Sequence, residues 1–228
     1  MVSNKVFVIF VRYKMSDMKF FKRLFPHKAL PERTMVPDEI IRHYPEPQKD
    51  LESIIQLVPS TCEVLYQHIW HSYIPKDWKF WAMDLMENGF ESYGVIELAG
   101  MDLNQDDAGL NYLVEKVLME LGVPVDQEVF NSAYIMSVAR DVLLGNRTAK
   151  NGFDLLSSTA IKTNYCQTFM DFYYWLDSAD EARYSTYGDH GLRYDNTEEW
   201  MYQFFEKLVK ANPKYCPMPE HWCNCTTI

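Results

Sequence analysis

The sequence predicts an all-α fold: stacked antiparallel helical hairpins between an irregular N-terminal arm and an irregular C-terminal tail. Three observations carry that prediction. From Asp50 to Asn212, apolar residues recur at helical spacing in segment after segment. Glycines and prolines stand where those segments stop. The connections run about 2–8 residues, a length that joins antiparallel neighbours.

Each element follows from local signals. Residues 1–49 hold prolines at 26, 31, 37, 45 and 47, which break every long helix and leave Asp38–His43 as one short turn or helix. Ser60-Thr-Cys-Glu63 reads as a capping box opening a helix to about Ser72. Asp77 is expected to cap the next helix, in which Trp78, Trp81, Ala82, Leu85 and Met86 form one apolar stripe ended by Gly89. Glu91 to Leu98 is a short helix stopped by Gly100. Asn104 to Asp107 reads as an acidic first turn, where negative charge suits the exposed amides. Leu110, Leu113, Val114, Val117, Leu118 and Leu121 make the clearest stripe, closed by Gly122 and Pro124. Ile135, Val138, Ala139, Val142 and Leu143 repeat it, closed by Gly145. Helices are expected from Thr148 to about Thr163 and from Gln167 to Leu176, then a loop over Tyr184–Tyr194. Asn196-Thr-Glu-Glu199 should cap the last helix, whose inward face is Met201, Phe204, Phe205, Leu208 and Val209. Pro213 stops it. The reading gives an arm (1–49), one helical domain (50–212) and a cysteine-containing tail (213–228). Ala82-x-Asp84-Leu-Met-x-x-Gly89 faintly echoes Ala139-x-Asp141-Val-Leu-x-Gly145, but two copies do not establish a repeat.

Composition narrows the function classes. The chain has 228 residues, a net charge of −10 and 34 aromatic side chains, enough for a large core and contrary to disorder. The longest apolar run, Val6–Val11, is too short for a membrane span or a secretion signal. The expected compartment is therefore the cytoplasm, with reduced thiols. Met18 offers an alternative start. Charge is unevenly placed. Residues 1–28 carry seven bases and one acid; residues 77–141 carry thirteen acids and three bases. Nucleic acid is thereby excluded as a partner for the helical body, less firmly for the arm. The acids Asp84, Glu87, Glu91, Glu97, Asp102, Asp106 and Asp107 are the candidate docking residues for a basic protein, which such a face would steer electrostatically.

Other constellations are weaker. Cys216, His221, Cys223 and Cys225 are four groups zinc accepts, but their spacing is not that of a standard finger. His68 and His71 stand three apart on one expected helix face. Asp102-Leu-Asn-Gln-Asp-Asp107 begins like a calcium loop but lacks the glycine at position six and the glutamate at position twelve. No nucleophile elbow or phosphate-cradling loop occurs. Asp189-His190 is a possible acid/base pair in a loop. Phe169, Phe172, Tyr173, Tyr174, Trp175, Trp200, Tyr202, Phe204 and Phe205 read as core, with an exposed anchor patch as the alternative.

Ile96-Glu-Leu-Ala-Gly100, Met119-Glu-Leu-Gly122, Val138-Ala-Arg-Asp-Val-Leu-Leu-Gly145 and the following Gly152 resemble a motif succession in a scattered group of bacterial all-helical proteins. The likeness spans residues 78–210. The group has no established activity to carry over, but some small acidic proteins of this kind sit beside toxin genes as immunity proteins. Many members have proline in the turn after the glycine matched by Gly145, where this chain has Asn146-Arg-Thr-Ala-Lys-Asn151. The resemblance implies an immunity or antitoxin inhibitor. The sequence thus favours a non-enzymatic acidic binding module without a cofactor, docking a basic partner such as a toxin. The alternative is an enzyme or metal-binding protein whose site is assembled from distant residues.

Overall fold

The computed structural model describes residues 35–104, 107–184 and 189–216. All belong to the unit formed by residues 35–228. The described residues form nine α-helices, joined by short turns and 3₁₀ segments, with no strand. They are α1 (Lys49–Leu57), α2 (Thr61–Ile69), α3 (Pro75–Glu87), α4 (Tyr93–Ala99), α5 (Asp107–Glu120), α6 (Gln127–Leu143), α7 (Ala149–Lys162), α8 (Met170–Glu181) and α9 (Thr197–Ala211). No helix among the described residues is long and apolar enough to cross a membrane.

Helix α6 is the centre. Asp126 caps it, its Oδ1 accepting from the amides of Glu128 (2.9 Å) and Val129 (3.0 Å). Twelve of its seventeen residues are buried, because α2, α7 and α9 all pack against it. Such a helix is covered on most sides, so its buried residues are not confined to the one-sided stripe of a surface helix. Phe153 of α7 meets Phe172 of α8 and Phe204 and Phe205 of α9 at ring-centroid distances of 5.1–5.3 Å. Each such ring contributes about 1.5–3 kcal/mol by leaving water. The aromatic cluster is therefore mainly core: Phe169, Phe172, Trp200, Phe204 and Phe205 are buried, while Tyr174 and Tyr202 reach the surface.

The stripes read from sequence fall inward as expected, and Gly89, Gly122 and Gly145 all hold positive φ at helix ends. The echoing segments around Asp84 and Asp141 take unequal places, since α3 keeps an exposed face and α6 is enclosed. Thr148 caps α7 through the Asn151 amide, and Glu198 adds bonds from the amides of Ala149 (2.6 Å) and Lys150 (3.0 Å). The predicted turn near Asp38 is a 3₁₀ segment at Asp38–Ile40.

Several predicted caps are replaced by tertiary contacts. Ser60 precedes α2 in a helical conformation and makes no side-chain cap; its hydroxyl bonds Asp84 at 3.5 Å. Asp77 lies inside the first turn of α3, which begins at Pro75, and accepts from Gln67 Nε2 at 2.8 Å. Ser92, rather than Glu91, starts α4 and caps it through the Val95 amide. Asn196 spends its side chain on the Arg193 amide and the Gly191 carbonyl instead of capping α9. Helix α8 continues to Glu181 because Ala179 still faces the core.

Residues 35–48 are held against the helices. Val36 is fully buried. Asn212 at the end of α9 accepts from the Tyr44 amide (2.9 Å) and donates to the Arg42 carbonyl (3.1 Å), and Arg42 pairs with Asp171 at 3.2 Å.

Candidate docking face

Helix α3 has two distinct sides. Trp78, Trp81, Ala82 and Leu85 are buried, the two indoles meeting edge-to-face at 5.3 Å. Trp81 Nε1 donates to Thr61 Oγ1 at 2.8 Å and fixes the helix against α2. On the opposite side Phe80, Met83, Asp84 and Glu87 stand at i, i+3, i+4 and i+7, all exposed. That stripe places two apolar side chains beside two carboxylates on a helix anchored from behind.

Helices α4 and α5 add a second exposed group. Tyr93, Ile96 and Glu97 share one face of α4; Tyr112, Glu115 and Met119 share one face of α5. Lys116 links the two helices. Its ammonium bonds Glu97 at 2.7 Å and lies 4.2 Å from the Tyr93 ring centre. The hydrogen bond that Lys116 donates to Glu97 raises the Lys116 pKa, and the nearby Glu97 and Glu120 charges add to it. Glu120 accepts from the Gly94 amide at 2.8 Å and covers the start of α4.

The seven predicted acidic residues therefore differ in what they can offer a partner. Glu87 and Glu91 are exposed and make no ion pair with another described residue. Asp84 is exposed beside Ser60. Glu97 is already paired with Lys116. Asp102 organises its own turn, accepting from the Asn104 amide and side chain at 3.0 and 2.9 Å. Asp107 begins α5, and Asp106 lies outside the described residues. Sequence reasoning overlooked the apolar half of this face. Phe80 and Met83 fall out of phase with the Trp78 stripe, which was the available signal.

The metal readings receive different placements. Cys216 is buried near Cys62, whose thiol faces the Tyr215 carbonyl at 3.9 Å. His221, Cys223 and Cys225 lie outside the described residues. Helix α2 ends at Ile69, so His68 and His71 do not share a helix face. His68 is buried with Nδ1 3.0 Å from the Tyr73 hydroxyl, while His71 is exposed at positive φ. Among the described residues no three His, Cys, Asp or Glu side chains converge on a possible metal position. The His190 ring packs on Trp175 at 5.4 Å, and its carbonyl accepts from Trp200 Nε1.

No protein-family model, curated protein or solved structure matches this chain.

Proposed function

We propose that this protein is a non-enzymatic binding module that docks a basic protein through the exposed faces of α3, α4 and α5. The observation that carries the reading is the outer stripe of α3, where the exposed Phe80 and Met83 are followed one turn on by the exposed Asp84 and Glu87. Apolar side chains of this size supply binding energy when a partner covers them. Adjacent carboxylates select a partner of opposite charge and speed its approach. An inhibitor of the immunity or antitoxin kind, with a basic toxin as its partner, is the form of this reading that the motif succession suggests.

The test is capture by the full-length chain from extracts of its native cells at low salt, beside two variants. A basic protein retained by the wild type should elute as salt rises from about 0.05 to 0.5 M, where screening shortens to a few ångströms. It should be lost with Glu87→Lys/Glu91→Lys and with Phe80→Ala/Met83→Ala, both keeping wild-type helicity. Equal retention by wild type and both variants would remove the docking face as the mechanism.

A further inference from the structure

Apart from the docking residues, a cavity of about 230 Å³ lies where the first turn of α2 meets the second half of α6. Ser60 and Glu63 line it from the α2 side, Tyr134, Ser137 and Arg140 from α6, and Arg147 from the turn leading into α7. Two cationic side chains thus converge on one small hollow.

The arginines are incompletely used by the protein. The Nε–H groups of Arg140 and Arg147 are both buried, and neither has an acceptor in the protein. Arg147 has one long contact, Nη2 to Asp141 Oδ2 at 3.8 Å. The Nε–H is one prong of the planar fork with which guanidinium grips two oxygens of a carboxylate or phosphate. Burying a charged donor without an acceptor is costly, and both arginines that line this cavity carry one.

Neighbouring donors are already engaged. Ser137 Oγ donates to the Tyr134 carbonyl at 2.8 Å. The amides of Thr61, Cys62 and Glu63 donate to the carbonyls of Val58, Pro59 and Ser60. The positive end of α2 therefore contributes field rather than hydrogen bonds, and the two guanidinium forks are left to make the directional contacts. Glu63 and Asp141 at the lining oppose a large polyanion. The volume corresponds to about eight waters at roughly 30 Å³ each, which suits a compact group.

We propose that this cavity binds a small oxyanion, the carboxylate or phosphate group of a small molecule, in the forks of Arg140 and Arg147. The site is independent of the docking reading.

The experiment titrates the full chain with inorganic phosphate and, separately, with acetate, at constant ionic strength maintained with sodium chloride. Binding is followed by calorimetry and by the Nε–H resonances of the arginines. One or both anions should bind saturably and move two arginine Nε–H signals. Saturation by phosphate alone identifies a phosphate group, and saturation by acetate alone a carboxylate. Arg140→Gln and Arg147→Gln should each weaken binding about tenfold, the loss expected for a charge-assisted hydrogen bond. Arg183→Gln, at an exposed position, should leave it unchanged. Arg140→Lys keeps the charge without the fork and should also weaken binding. Unmoved arginine signals in the wild type, or full binding by a folded Arg140→Gln/Arg147→Gln double variant, would overturn the proposal.

Discussion

The Glu120 carboxylate at the end of α5 accepts the amide hydrogen of Gly94 at 2.8 Å, so one helix terminates on the start of another. A Cβ at Gly94 would lie 2.7 Å from that same oxygen. Bonds from the Ser92 hydroxyl and then the Gly94 amide hold the Glu120 pKa below its ordinary value of 4.5. A depressed carboxylate contributes stability above its unfolded pKa and loses it as pH falls through the folded value. Glu120→Gln should therefore lower Tm at pH 7, with the difference from wild type shrinking below pH 4.5. Gly94→Ala should displace the carboxylate and reproduce that pattern. Thermal melts across pH, compared with wild type, check both.

Gly152 permits a close crossing in the core. An added Cβ would sit 2.9 Å from two Phe205 ring atoms and from Val142 Cγ2. Gly152→Ala should cost about 1–3 kcal/mol through overpacking, despite the better helix propensity of alanine. Urea denaturation should show a lower midpoint with an unchanged slope. A midpoint equal to or above wild type would show that the helices can separate without penalty.

His68 should steepen acid sensitivity. Burial, and then the charge of His71, lower its pKa from 6.5, while Glu115 opposes the shift. A base whose folded pKa is depressed favours the neutral form, so its contribution is complete above pH 6.5 and declines below it. His68→Gln should narrow the stability difference between pH 7.5 and 5.5, read from urea midpoints. An unchanged difference would place the titration elsewhere.

The thiols should differ in reactivity. Burial pushes the Cys216 pKa up to about 12 and raises that of Cys62 as well, so at neutral pH neither presents appreciable thiolate. Iodoacetamide added to the native protein should leave peptides containing Cys62 and Cys216 unmodified, and label both after unfolding in urea. Native-state labelling at Cys62 would contradict its enclosure.

The helical class was legible because burial imposes a period that a single sequence displays. Leu110, Val114, Val117 and Leu118 are inward, as their spacing requires. Caps were less legible because a polar side chain can be claimed by a distant partner. Gln67 takes Asp77, and the Gly191 carbonyl and Arg193 amide take Asn196. Charge on α3 could be read directly, since carboxylates such as Glu87 without partners stay in water. The exposure of Tyr112 and Met119 could not, because an apolar residue is equally suited to core or surface until its neighbours are known. Arg140 and Arg147 carry no local signal. They stand only seven residues apart, but the hollow they line depends on α2 crossing α6, a contact between segments about seventy residues apart.

The enclosure of α6 bears on how the chain is made. Its covering helices come from both sides in sequence: α2 precedes it, and α7 and α9 follow. When synthesis reaches α6, residues such as Phe130, Ile135 and Val138 have only part of their eventual surroundings. The apolar surface meant for α9 stays uncovered until Phe204 and Phe205 have emerged. A ribosome stalled before Thr197 would therefore hold an adhesive intermediate, the kind of species chaperones bind.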